Sequence, residues 1–321
     1  VYGSGTLSGA MASVDWNTDE AQWVGRSTGK YPAIAFFDYI HLASSPSDWI
    51  DYGDITPVRE WWNAGGLVGA GWHWNVPVSA GSGTLTFSTE TRDGSGNVVT
   101  NTFSAAEAVK EGTWENDVLN ADLEEIADYL MLLQNEGIPV IWRPLHEAAG
   151  NTYTYGTGAW FWWGADGAEA YVALWRYMFD RFKEAGLRNL IWVWTTQTSS
   201  FSDVDFDFYP GDDYVDIVGR DIYGDAASGL PFEAAAAASQ FETIASLSEH
   251  KMVALSELGS VADIASQWDS GAQWLFFMPW YDNSDPSYPA DFSHSHADIS
   301  WWNATFASDA VIDRSELPDL K

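Results

Sequence analysis

Eight short runs dominated by Val, Ile, Leu, Phe and Trp recur along the chain, at 6–12, 31–39, 66–74, 138–147, 189–196, 214–223, 251–259 and 273–281. Runs of this length, bounded by turn residues and separated by helix-period segments, are the pattern of βα units and a parallel sheet. Two of the intervening helices are explicit in the spacing. Leu119, Leu123, Ile126, Leu130 and Leu133 recur at three and four residues, as do Tyr171, Leu174, Trp175, Met178 and Phe182. Each segment closes ahead of a glycine, Gly137 and Gly186, where a left-handed helix cap precedes the next strand. Eight strand-helix repeats predict an α/β fold, a closed (β/α)₈ TIM barrel.

No Pro/Ser linker or break in composition divides residues 1–321, so a single domain is expected. The largest excess over a minimal barrel lies after the third strand. There, residues 84–104 alternate polar and apolar on both sides of Asp93-Gly94-Ser95-Gly96-Asn97, which predicts a β-hairpin insertion. The alanine run at 234–238 suits a helix.

Charge narrows the partners. Fourteen Lys and Arg stand against 46 Asp and Glu, a formal net charge of −32, which excludes nucleic acid and disfavours anionic polysaccharides. Neutral polymers remain. No cysteine is present, so disulfides, zinc-thiolate sites and a thiol nucleophile are all ruled out. The chain begins at Val1 and has no run long enough to span a bilayer, from which a processed, secreted product is expected, and a monomer is expected as well. Asn303-Ala304-Thr305 matches the glycosylation acceptor pattern. Twenty Trp residues exceed what a core needs, and some are expected to face a ligand as stacking platforms.

In a barrel of this kind the chemistry sits where strands end. The fourth run ends in Arg143, His146 and Glu147, and the seventh carries Glu257. Two carboxylates converging on one rim are the minimum machinery for glycoside hydrolysis, one donating a proton to the leaving oxygen, the other attacking or activating water. The donor needs an apolar wall, for which Trp160, Trp162 and Trp163 are candidates, and the nucleophile needs hydrogen-bond donors, for which Arg143 and Tyr223 are candidates. Trp280, ending the eighth run, is placed to floor the site, while Trp142, Trp192 and Trp194 alternate within strands and read as filling. Asp203, Asp205 and Asp207 alternate, as do His294 and His296, but neither set has a calcium-loop or zinc-helix spacing, and no Gly-rich phosphate loop follows a strand. No metal or cofactor is implied.

The strings W-R-P-L-H-E at 142–147, W-F-W-W-G at 160–164, V-G-R-D-I-Y at 218–223 and S-E-L-G at 256–259 resemble glycoside hydrolase family 26, chiefly β-mannanases. G-W-H-W-N at 71–75 and L-S-G at 7–9 extend the resemblance over nearly the whole chain. It implies a retaining double displacement on neutral β-mannan or manno-oligosaccharides, with Glu147 as acid/base, Glu257 as nucleophile and the two carboxyls ~5 Å apart. By motif position it implies that His146 lines the sugar site, Tyr223 bonds the nucleophile and Trp160 forms the platform under the sugar. Arg143 and Asp221 would orient the carboxylates, and His73 would contact a sugar beyond the cleavage point. The alternatives are the same mechanism on mixed-linkage glucan or xylan, and a non-catalytic polysaccharide-binding protein. The segment Ala148–Ala159 is longer than the resemblance calls for; Tyr153 or Tyr155 there would add a stacking ring or close one end of the groove, which leaves endo and exo cleavage open.

Overall fold

The computed structural model describes residues 2–12, 16–46, 50–150, 158–197, 204–224, 231–281 and 297–320, without the side chains of 204 and 205. Tyr153, Tyr155, Asp203, His294, His296 and the Asp205 side chain therefore lie outside the described residues. The strands in chain order are β1 (Thr6–Met11), β2 (Ile34–Asp38), β3 (Leu67–Trp72), β4 (Val140–Pro144), β5 (Leu190–Gln197), β6 (Ile217–Tyr223), β7 (Met252–Gly259) and β8 (Phe276–Pro279). The principal helices are α1 (Asp19–Thr28), α2 (Thr56–Asn63), α3 (Trp114–Asn135), α4 (Ala168–Glu184), α5 (Ala234–Leu247), α6 (Ile264–Asp269) and α7 (Ile299–Thr305). This order of elements is that of a (β/α)₈ barrel, and that is the fold class. One connection departs from the expected repeat. Among the described residues, β5 and β6 are joined by two 3₁₀ turns, Val204–Phe208 and Asp212–Tyr214, because the intervening sequence has Pro210-Gly211 and no three-four apolar stripe.

The chain forms two compact units, Val1–Asp38 with Ile55–Gly71 and Asp216–Lys321, and Tyr39–Asp54 with Trp72–Val215. In the first, parallel pairing runs β6–β7–β8–β1–β2–β3, and Val311–Ile312 adds a short parallel strand beside β1. Residues of β1 and β2 are buried on both faces, which is why these strands read as continuous apolar runs.

In the second unit β4 and β5 pair with Trp142 opposite Trp192. Trp142, Trp192 and Trp194 are all buried, as filling residues. Helix α3 starts where the Thr113 hydroxyl accepts the Asn116 amide, and all five leucine and isoleucine positions of its stripe are buried. Helix α4 buries all five of its aromatic and aliphatic positions, and Gly137 and Gly186 take φ of 73° and 89° after the two helices. The insertion after β3 contains the expected hairpin, Glu90–Arg92 against Val98–Thr100, closed by the Asp93 carboxylate accepting the amides of Ser95 and Asn97. Leu85–Thr86 belongs instead to a second small pairing with Val76–Pro77.

Tryptophan is used mainly as core volume. Trp61, Trp72, Trp74, Trp142, Trp162, Trp163, Trp175, Trp194, Trp274 and Trp302 are almost wholly buried, so most of the excess that looked like ligand platforms is structural. The glycosylation triplet is also spent on structure: it lies in α7, where the buried Thr305 hydroxyl accepts the Ile264 amide.

One buried contact makes stability sensitive to pH. Asp122 of α3 accepts the Trp74 indole N–H at 2.6 Å, and burial pushes its carboxyl up to about 7 despite that bond, with Glu125 adding like charge. A carboxyl that ionises at 3.8 unfolded but near 7 folded binds its proton more tightly in the native state. Stability is therefore lost as pH rises from about 4 through about 7, and the loss is complete above that. Asp122→Asn keeps an acceptor for Trp74 and cannot ionise. Thermal melts from pH 4 to 8 should show the variant's Tm advantage over the parent growing with pH; a constant or shrinking difference would contradict the assignment.

Candidate active site

Immediately after β4 the backbone does something L-residues avoid. Leu145 and Glu147 adopt φ of 48° and 52°, in the left-handed region, at a cost on the order of 1–3 kcal/mol each. Side chains and neighbouring strands hold the turn. The Tyr171 hydroxyl donates to the Leu145 carbonyl at 2.8 Å and the Trp163 indole to the His146 carbonyl at 2.8 Å. The Glu147 amide donates to the Thr195 carbonyl on β5, the Gly150 amide to the Glu147 carbonyl, and the Gln197 side chain to the Gly150 carbonyl. Leu145 and His146 are thereby buried while the Glu147 side chain stays half-exposed.

His146 packs among rings: its centroid is 4.5 Å from His73, 4.9 Å from Phe161 and 5.7 Å from Trp163. Burial, with the Arg143 and His73 charges adding to it, holds the His146 imidazole well below its ordinary value, so the ring is neutral at any pH near 7. Its Nδ1, like the Trp160 Nε1, is buried with no hydrogen-bond partner among the described residues. Buried polar atoms left this way are uncommon and concentrate where function demands them. Trp160 is half-buried, as a residue available to a ligand must be. Trp162 and Trp163 are not: both are buried, donating to the Trp74 and His146 carbonyls, so they brace the region and present no face to a ligand.

The loop bearing Trp160 is stitched to the insertion after β3. Ser88 bridges Phe161, the Thr89 amide donates to the Trp160 carbonyl, and the Trp162 amide donates to the Phe87 carbonyl. Gly164 must be glycine, because a Cβ there would lie 1.7 Å from the Ala148 carbonyl oxygen.

The other unit carries the second carboxylate. Glu257 lies in β7, in register with Asp221 of β6, and its Oε1 accepts the Tyr223 hydroxyl. Asp221 in turn accepts the buried Ser256 hydroxyl at 2.7 Å. The buried Arg220 guanidinium donates to the Gln240 side chain of α5. Trp280 is half-buried just past β8, its amide on the Leu258 carbonyl and its ring 5.2 Å from Tyr281.

The structure thus gathers Arg143, His146, Glu147, His73 and Trp160 in one unit and Asp221, Tyr223, Glu257 and Trp280 in the other. Tyr171, Phe161, Phe87 and Ser256 were not singled out from sequence. Tyr171 was legible only as part of the α4 stripe, since nothing in helical spacing marks a hydroxyl that reaches another element. Among the described residues no group of three or more His, Asp or Glu side chains is placed to hold a metal ion.

The family model described as glycosyl hydrolase family 26 matches residues 1–308. A mannan endo-1,4-β-mannosidase B from a Piromyces species is 32% identical over 92% of this chain and 46% of its own length. A mannan endo-1,4-β-mannosidase from Thermothelomyces thermophilus is 31% identical over 88% of this chain and 53% of its own. The chain therefore spans about half the length of these curated relatives. The solved GH26 domain of an endo-β-mannanase/endo-β-glucanase from Prevotella bryantii superposes with a TM-score of 0.82 at 40% identity, covering 98% of this chain and 92% of that one. A β-mannanase from a symbiotic protist of the termite Reticulitermes speratus, solved with a gluco-manno-oligosaccharide, gives 0.79 at 34%, covering 99% and 91%. With the family model matching residues 1–308, the chain belongs to glycosyl hydrolase family 26.

Proposed function

We propose that residues 1–321 form one catalytic domain, a monomeric secreted β-1,4-mannanase that hydrolyses mannan, glucomannan or galactomannan with retention. The observation that carries this reading is membership of family 26 alongside relatives named as mannan endo-1,4-β-mannosidases. The relatives' names favour cleavage of internal linkages. Among the described residues no helix is long and apolar enough to cross a membrane.

In the proposed mechanism Glu257 attacks the anomeric carbon as a carboxylate while Glu147, protonated, passes its proton to the departing glycosidic oxygen. The carbon–oxygen bond breaks, a glycosyl ester forms on Glu257, and the shortened chain leaves. Glu147, now ionised, takes a proton from water as the water attacks the same carbon, which frees Glu257 and restores Glu147. The hydroxyl of Tyr223 on Glu257 supports this assignment: a donor from the neighbouring strand orients the carboxylate that would attack. The half-exposed Glu147 side chain on a turn held by its backbone supports the role of proton carrier, which needs reach to solvent and fixed aim. Neutral His146 offers hydrogen bonds to sugar hydroxyls without competing as an acid, His73 lies beside it, and Trp160 and Trp280 offer flat faces for sugar rings. Arg143, buried, and Asp221, tied to Ser256, keep the carboxylate-bearing strands in place.

Reducing-end release from mannan, glucomannan, lichenan and xylan tests the substrate class. Release from mannan and glucomannan is expected; release confined to lichenan or xylan, or binding without release, would refute the mannanase reading. Glu147→Ala should lower kcat on mannan by at least about 100-fold, the low end of what general acid catalysis supplies, and Glu257→Ala should leave no measurable turnover. Tyr223→Phe removes one hydrogen bond to a charged group and should cost roughly 10- to 100-fold in kcat. Proton NMR of mannohexaose hydrolysis in its first minutes should show the β-anomer at the new reducing end. The α-anomer appearing first would overturn the double displacement.

A further inference from the structure

The turn that carries Glu147 is unfavourable by itself, and two of the bonds that hold it come from Tyr171, outside the family motifs, and from Trp163, a motif tryptophan that is buried. Leu145 and Glu147 both have positive φ, and neither is glycine. Two buried side chains meet the two carbonyls between them: the Tyr171 hydroxyl on Leu145 and the Trp163 indole on His146, each at 2.8 Å. Both donors are wholly shielded from solvent. They are themselves fixed. Tyr171 sits one turn into α4 and receives a hydrogen bond from Trp194 of β5, while Trp163 stacks on Phe161 at 4.5 Å and 24°. Gly164, pressed against the Ala148 carbonyl, leaves no slack behind the turn.

We infer that Tyr171 and Trp163 are positioning residues for the proton-transfer step: their two hydrogen bonds hold the 145–147 backbone in its left-handed form and so aim the Glu147 carboxyl. The inference rests on the acid/base assignment of Glu147. Neither side chain touches substrate. A fully buried phenol and an indole are suited to the task because each is a rigid ring carrying one donor, and each donor meets a carbonyl at ordinary hydrogen-bond length. Relaxing the turn by as little as an ångström misdirects the proton, which is sufficient to cost about 100-fold in a step that depends on alignment.

The consequence is selective. A sugar leaving group needs the proton from Glu147, whereas a dinitrophenolate departs without it. Tyr171→Phe deletes only the hydroxyl, and Trp163→Phe deletes the indole N–H and serves as an independent variant if the first does not fold. Each should lower kcat/KM for mannohexaose by roughly 10- to 100-fold. Each should leave kcat/KM for 2,4-dinitrophenyl β-mannobioside within about threefold of the parent, because that step bypasses proton donation. Azide, which needs no general base, should restore turnover of the dinitrophenyl substrate where deglycosylation has become slow. Hydrogen exchange of the peptide covering 145–150 should quicken about tenfold in both variants, with exchange elsewhere unchanged.

An equal loss on both substrates, or no loss on either, overturns the positioning role. Unchanged exchange at 145–150 overturns the brace itself, whatever the kinetics. Glu147→Ala is the control for the assignment beneath: it should show the same leaving-group selectivity, more severely. Should it lose both substrates alike, the acid/base reading falls, and the exchange measurement still decides whether Tyr171 and Trp163 hold the turn.

Discussion

The backbone between Pro144 and Gly150 is the constraint to which its surroundings answer. A strand buried on both faces delivers Arg143 and Pro144, and within three residues the chain must present a carboxyl to solvent while keeping His146 inside. Two left-handed residues make that reversal possible. Their conformational cost, of order 1–3 kcal/mol each, is comparable to the net worth of the four hydrogen bonds that tie the turn to α4, β5 and the aromatic loop. The turn is therefore stable only in company. The insertion after β3 holds the aromatic loop, the aromatic loop holds His146 and Ala148, and Glu147 is placed by what surrounds it.

Tryptophan is the material of that arrangement. Indoles fill volume with few rotors, and each carries a single donor that a buried site must satisfy. Here the donors are put to use: Trp61 bonds Leu67, Trp162 bonds Trp74, Trp163 bonds His146, Trp175 bonds Tyr214 and Trp274 bonds Gln267. Four of the five reach main-chain carbonyls, so the rings act as spacers that also clamp loops and strand ends. This explains why the chain is so rich in Trp while showing few of them to solvent. Trp160 and Trp280 are half-buried, the first singled out for sugar by a family motif and the second by its place at the end of the eighth run.

The two carboxylates are treated differently by their surroundings. Glu257 is buried in a strand and meets a hydroxyl donor from the neighbouring strand. Glu147 is half-exposed on a turn secured through its backbone. The proposed division of labour between a nucleophile and a proton carrier calls for such a contrast.

The strand ranges, the stripes of α3 and α4, the left-handed glycines at 137 and 186 and the hairpin at 90–100 were all legible in the sequence, because each follows from local periodicity or from a residue with restricted or extra φ freedom. The sequence also singles out Glu147, Glu257 and Tyr223, as strand-end polar residues that carry the family motifs. Local pattern could not say that Trp162 and Trp163 face inward while Trp160 does not, since adjacent residues on a loop carry no period. Nor could it say that the residues before β6 would form 3₁₀ turns, or that Tyr171, one position of an apolar stripe, lends its hydroxyl to the turn after β4. Chain order and burial period are properties of a segment and were set by the amino acids alone. Which donor meets which carbonyl depends on elements far apart in sequence arriving at the same place, and only the folded chain decided that.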